Sequence, residues 1–275
     1  MTRRTASSRA LLRLDRISVA FDTVVVLDGI DVDVRDGEFV ALVGPSGCGK
    51  TTLLNVCSGW LAPSAGTVDR PARLRMVFQQ DGLFPWLTVS ENILLGLEQV
   101  TDPAERKRRS EALLELIGLR TFASVYPHQL SGGMRQRVEL ARAIGGDTPL
   151  LLMDEPFSSL DYLTRLKMRR ELARILREQP RTVVLVTHDI EEAAQLADRV
   201  LVLSERPARV RDEIVLDVPR PRDLTHPEVV AAVHRILTVL GIESEDTDTN
   251  GDRFVETAVQ QAAGGGQRAA SGRKE

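Results

Sequence analysis

Cysteine is scarce: Cys48 and Cys57 are the only two in 275 residues. No metal-ligand spacing surrounds them, which excludes a disulfide framework and a zinc site and leaves reduced thiols as the default. Long apolar runs are missing too. None approaches the ~18 residues needed to cross a bilayer, and Met1–Ala10 lacks the apolar core of a signal peptide, so the chain is expected to stay in the cytosol. A basic excess is also absent, with 36 Lys plus Arg against 39 Asp plus Glu and a formal charge of -3. That balance makes nucleic acid an unexpected partner. Lysine itself is rare: Lys50, Lys107, Lys167 and Lys274 are the only four. What remains is a globular composition, 43% hydrophobic, long enough for one large domain or two modest ones with a buried core.

Leu11 to Phe21 and Val24 to Val34 alternate apolar and polar residues, the pattern of half-buried antiparallel strands, and Asp36-Gly37 supplies the turn to a strand ending at Val43. A Gly-rich loop follows, then a helix from Lys50 closed by Gly59, with Pro63 just beyond. From Gly66 to Gln79 a short strand pair is expected, leading to Met76-Val77-Phe78. Thr88 to about Leu130 turns helical, with Leu113, Leu114, Leu116 and Ile117 on one face. Leu150–Met153 and Thr182–Val186 are short continuous apolar runs, the mark of parallel strands covered on both faces, and Tyr162–Glu178 between them reads as a helix. Arg199–Leu203 repeats the strand pattern, Val210–Val218 suggests an antiparallel edge, and His226–Leu240 a last helix. Residues 1–10 read as a flexible N-terminus and 246–275 as a disordered tail carrying Gly264-Gly265-Gly266.

Gly44-Pro45-Ser46-Gly47-Cys48-Gly49-Lys50-Thr51 has the eight-residue Walker A spacing, in which backbone N–H groups and a helix N-terminus cradle phosphate oxygens. Lys50 would reach the β- and γ-phosphates, the Thr51 hydroxyl would ligate Mg²⁺, and Thr52 next to it completes the ATP-binding set. A lysine here, in a chain dominated by arginine, favours the need for a compact point charge. Leu150-Leu151-Leu152-Met153 delivers Asp154 and Glu155 to a strand end, where open α/β sheets place their ligands. Asp154 would hold Mg²⁺ and Glu155 would act as general base. Adjacent acids after a strand also occur as helix caps or turns.

The order of these motifs resembles that of the ATP-binding subunits of ABC transporters, over about Leu11 to Leu240. Leu130-Ser131-Gly132-Gly133 matches that family's signature. The resemblance implies a P-loop NTPase core with a mainly parallel sheet, an N-terminal antiparallel β layer and a helical signature subdomain at about residues 88–145, all within an ATPase domain spanning 11–245. It also implies a head-to-tail dimer, expected to be a homodimer, in which Ser131, Gly132 and Gly133 of one chain close over ATP held by the other; the plainer reading of Ser-Gly-Gly is a helix cap. Gln79 matches the family's Q-loop glutamine, a ligand of Mg²⁺ and of the attacking water, with Gln80 the weaker candidate. Ser158-Ser159-Leu160-Asp161 resembles the D-loop, with Asp161 coupling the two sites. His188 matches the switch histidine, although a lone histidine at a strand end is often structural; His128, His226 and His234 are read as structural. Phe21 sits where the family stacks an aromatic on adenine, with a core phenylalanine as the competing reading. Met134 replaces the glutamine or glutamate common after the signature glycines.

Leu83, Phe84, Pro85 and Trp86 present large apolar residues beside a proline, a candidate contact for a membrane subunit; a core strand would also explain Leu83 and Phe84. The stretch Phe78–Trp86, with Met153–Phe157 and Val202–Pro207, resembles the nitrate/sulfonate/taurine importer group. This implies uptake of a small oxyanion or organosulfonate, with a thiamine-precursor pyrimidine as the alternative cargo. It further implies separate transmembrane permease subunits, an extracytoplasmic solute-binding protein acting indirectly, and a peripheral place on the cytoplasmic face of the cell membrane. A soluble ABC ATPase working on DNA or ribosomes would call for a coiled-coil insertion, a second cassette or a basic surface. A phosphate-loop kinase or GTPase would leave the signature unexplained.

Overall fold

Two sheets share one buried helix. The computed structural model describes residues 10–79 and 82–242; Gln80, the expected loose N-terminus before Ala10 and the expected tail from 246 lie outside them. β1 (Ala10–Phe21) and β2 (Val24–Arg35) pair as an antiparallel hairpin, and β4 (Ala65–Asp69) joins the other edge of β1. The second sheet has the order β5-β6-β7-β3-β8-β9, where β3 is Phe39–Val43, β5 Leu74–Val77, β6 Leu150–Asp154, β7 Thr182–Val186, β8 Arg199–Leu203 and β9 Val210–Val215. All its neighbours are parallel except β8 and β9.

The continuous apolar runs of β3, β6 and β7 follow from burial on both faces. Val40, Leu42, Leu150, Leu152, Val184 and Val186 pack with the antiparallel layer and with α1 (Lys50–Ser58). Their neighbours Ala41, Leu151, Met153, Val183 and Leu185 pack into the second core, under the helices of the opposite side. A period of two therefore sends successive side chains into two different cores.

The expected strand pair within 66–79 is corrected. β4 and β5 do not pair with each other; they belong to different sheets. Gly66 explains part of this: it has φ 94°, and a β-carbon there would stand 2.4 Å from the Arg16 carbonyl oxygen. Only glycine allows β4 to approach β1 so closely.

The helical stretch contains α2 (Val89–Gly96), capped by Thr88 and Glu91 in a reciprocal capping box, and α3 (Pro103–Leu116), with Asp102 as N-cap and proline in its first turn. Leu114 and Ile117 are buried, whereas Leu113 and Leu116 are half-buried. α4 (Gly132–Gly145) follows and packs on α2 and α3. α5 (Tyr162–Glu178), α6 (Ile190–Leu196) and α7 (Pro227–Val239) complete the chain order. Among the described residues no helix is long and apolar enough to cross a membrane.

Candidate functional site

The loop 44–51 joins the end of β3 to the start of α1, which brings its N–H groups to a helix N-terminus. Gly49 has φ 123°, and a β-carbon on it would lie 2.9 Å from Val26 and Leu27 of β2, so a side chain is excluded both by conformation and by space. Ser46 and Gly47 are exposed, while the Cys48 side chain is buried in the core; what Cys48 offers the loop is its backbone. Lys50 is 7% exposed, and its Nζ donates to the carbonyl oxygens of Gly44 (2.8 Å) and Pro45 (2.9 Å). Its ammonium is thereby held across the mouth of the loop. Arg206 braces the loop from outside, donating to the Gly47 carbonyl oxygen at 2.6 Å.

Asp154 ends β6 with 2% exposure, takes a hydrogen bond from Thr51, and leaves Oδ1 without a partner among the described residues. Burial pushes its carboxyl above the usual carboxylate range, against the pull of Thr51. A buried carboxylate oxygen without a donor, beside a threonine hydroxyl at a phosphate loop, is a hard-oxygen arrangement suited to Mg²⁺.

Glu155 has φ 48°, in the left-handed region that costs a side-chain-bearing residue free energy. Its N–H donates to the Val186 carbonyl oxygen at 2.8 Å. The side chain meets two of the residues singled out from sequence: Gln79 Nε2 donates to Oε2 at 3.4 Å, and His188 Nδ1 lies 3.1 Å from Oε1. Gln79, Glu155 and His188, from three separate strand ends, therefore converge on one point. The next residue, Asp189, caps α6 and pairs with Arg165 (3.3 Å) and with buried Arg169, which also faces Glu192 at 3.4 Å.

Ser131 caps α4, its Oγ accepting from Met134 N–H at 3.3 Å, and Gly132 and Gly133 open that helix. Both the capping reading and an outward-facing N-terminus thus hold, since Ser131 and Gly132 are exposed. Asp161 caps α5 through Thr164, and those hydrogen bonds hold its carboxyl below the usual range. Phe21 ends β1 with 49% exposure, so it is not a core residue.

The four-residue apolar patch is corrected at one position. Leu83 is only 8% exposed and packs into the core, whereas Phe84, Pro85 and Trp86 are exposed and the Phe84 and Trp86 rings pack 5.4 Å apart. A turn brings its first apolar residue inward and the next three outward. Asn92, fully buried, fixes that turn: Oδ1 accepts from Phe84 N–H, and Nδ2 donates to the carbonyls of Phe84, Leu87 and Thr88. Asn92, Gln136, Glu139, Arg165 and Arg169 all escaped the sequence reading. Their only sequence signal is polarity inside helices that are otherwise apolar on the same face.

Comparison with known proteins gives the family and the fold. The ABC transporter family model matches residues 27–158. The aliphatic sulfonates import ATP-binding protein SsuB 1 of Pseudomonas fluorescens is 43% identical over 237 residues, covering 86% of this chain and 89% of the relative. The chain belongs to the ABC transporter ATP-binding family. A putative ATP-binding protein of Brucella abortus is 40% identical over 250 residues, covering 86% of this ABC chain and 96% of its own length. Among solved structures, an ATP-binding cassette captured as a dimer in a post-hydrolysis state with ADP and Pi superposes with a TM-score of 0.67 at 31% identity, over 75% of this chain and 99% of that one. This ABC cassette binds ATP and is an ATPase.

Proposed function

We propose that this ABC ATPase drives uptake of a small oxyanion or organosulfonate through separate membrane subunits. The observation that carries the hydrolytic part is the meeting of Gln79, Glu155 and His188 above Asp154 and the phosphate loop. Glu155 takes the proton of the attacking water, Gln79 orients that water, and His188 faces the γ-phosphate. Lys50 and the loop amides bind the phosphates and the Phe21 ring stacks on adenine. Thr51, Asp154 and Gln79 would hold Mg²⁺, which when bound supplies charge neutralisation at the β- and γ-phosphates.

Ser131, Gly132 and Gly133 close over ATP held by a second copy, giving a head-to-tail dimer with two composite sites, and Asp161 lies in the loop joining them. Support comes from the dimeric state of the solved cassette and from the exposed N-terminus of α4. Phe84, Pro85 and Trp86 receive the permease, which keeps the chain peripheral on the cytoplasmic face. The cargo class is supported by relatives named as aliphatic sulfonates importers in Pseudomonas fluorescens, Agrobacterium fabrum and Streptomyces avermitilis.

The test of the chemistry is Glu155→Gln. It is expected to bind ATP, to accumulate as an ATP-bound dimer, and to hydrolyse ~10² to 10⁴-fold more slowly, the usual worth of a general base; near-parental turnover refutes the assignment. For the cargo, the chain assembled with its permease and binding protein should show ATPase stimulation by alkanesulfonates, and stimulation by pyrimidines alone refutes that class.

A further inference from the structure

α4 carries more than the exposed Ser131–Gly133 end. Two polar side chains project from it one turn apart into the interior, Gln136 at 4% and Glu139 at 1% exposure. Gln136 Nε2 donates to the backbone carbonyl of Glu155 at 3.1 Å, while its Oε1 accepts from the N–H of Ser159 at 3.1 Å and from the Ser159 hydroxyl. Glu139 Oε1 accepts from Phe78 N–H and its Oε2 from Gly82 N–H, both at 3.1 Å. The Glu139 carboxylate therefore ties Phe78, the residue before Gln79, to Gly82. Arg142, a further turn along, donates to the Gly82 carbonyl at 2.9 Å.

The seating of the helix is equally direct. A β-carbon on Gly133 would stand 3.1 Å from the Ser159 carbonyl oxygen and 3.3 Å from Leu160, so α4 rests its first turn on the 158–161 loop. Polar groups buried this deeply cost free energy unless each finds a partner, and here the partners are the backbones on either side of the reacting groups. Glu155 sits at φ 48°, a conformation that persists only when its surroundings hold it. The Val186 carbonyl holds its N–H, and its own carbonyl accepts from Gln136 and, within the local turn, from the N–H and hydroxyl of Ser158. One helix thus holds the Glu155 carbonyl directly and, through Phe78 and Gly82, the backbone around Gln79, whose side chain reaches Glu155 at 3.4 Å.

We propose that Gln136 and Glu139 are positioning residues for hydrolysis, and that α4 sets the spacing between Gln79 and Glu155 through them. Displacing the signature end of α4 then shifts the candidate base of the same chain. A ligand closing over Ser131 is in this way read at Glu155, without either touching the other. The proposal rests on Glu155 being the base.

The experiment compares Gln136→Met, Gln136→Glu and Glu139→Gln with the parent and with Glu155→Gln in the purified full chain. Single-turnover hydrolysis is measured with protein in excess, together with ATP affinity and thermal midpoint. Gln136→Met keeps the volume and loses all three hydrogen bonds; Gln136→Glu keeps the acceptor for Ser159 and loses the donor to Glu155. Both should lower the hydrolysis rate at least tenfold with ATP affinity within twofold of the parent, while the buried groups left without partners lower the thermal midpoint by a few degrees without unfolding the chain at assay temperature. Glu139→Gln should lower the rate severalfold with the same unchanged affinity, and combining it with Gln136→Met should cost less than the product of the two effects, because both act on one spacing. A parental rate in Gln136→Met while Glu155→Gln is inactive overturns the proposal alone. Parental turnover in Glu155→Gln overturns the base reading and the proposal with it. Parallel losses of rate, ATP affinity and thermal midpoint assign the two residues a purely structural role and also overturn it.

Discussion

Replacing Arg169 with methionine tests the network behind His188. Arg169 is 1% exposed and Glu192 3% exposed, so the pair is shielded from solvent. Arg169 faces Asp189 and Glu192, while Arg165 shares only Asp189. Two guanidiniums thus offset two carboxylates. Burial pushes the Glu192 carboxyl up to about 7 even against the pull of Arg169. Because that value lies above the ordinary 4.5, the folded state holds the extra proton, and stability falls as pH rises from about 4.5 to about 7. Without Arg169 the Glu192 value climbs further and the falling window extends above pH 7. Removing one partner of a buried pair costs on the order of 3 to 5 kcal/mol. That figure applies at pH 8, and at pH 6 the deficit should be smaller by about 1.4 kcal/mol, one proton over the pH unit between 7 and 8. Urea unfolding at pH 6 and 8, with deficits taken from midpoint and slope, reads both numbers. Adding Glu192→Gln should remove the pH dependence and recover part of the loss. An Arg169→Met chain as stable as the parent at pH 8, or a deficit identical at both pH values, refutes the reasoning.

Three further outcomes follow from exposure and burial. Phe21→Ala should weaken ATP binding by ~1 to 3 kcal/mol, the usual worth of base stacking, with little loss of stability because the ring is half exposed; isothermal titration with ATP reads it, and unchanged affinity refutes the stacking. Trp86→Glu, at a side chain 69% exposed, should leave stability within about 0.5 kcal/mol and ATP affinity intact while abolishing stimulation by the permease; retained stimulation removes the patch from the contact. Burial pushes the Cys57 thiol up to about 12, so iodoacetamide at pH 8 should label it only after denaturation, and mass spectrometry of native protein would reveal any early labelling.

The phosphate loop was legible because its neighbours in sequence are its neighbours in space: strand, glycines and helix follow each other without interruption. The strands of the main sheet were legible for a related reason, since burial on both faces leaves unbroken apolar runs. Where a feature depended on distant partners, sequence reasoning failed or was silent. Nothing in Gly66–Val77 says that its two strands join opposite sheets, because edge pairing is decided by which backbones are already nearby. Leu83 reads as continuous with Phe84 and Trp86, yet the turn fixed by Asn92 sends it inward. Gln136 and Glu139 look like ordinary polar helix positions; their partners are backbone groups 19 and about 60 residues away in sequence.

By itself the sequence determined the chemical inventory. A P-loop lysine, a carboxylate pair at a strand end, a glutamine and a histidine at two others, and a serine-glycine helix start are local patterns, dictated by backbone geometry and the period of burial. Only the tertiary structure decided that Gln79, Glu155 and His188 meet, that Asp154 Oδ1 has no partner among the described residues, and that one helix holds both the Glu155 carbonyl and the backbone around Gln79. Those are relations between segments far apart in the chain, and they exist only once burial has forced each buried polar group to find its partner.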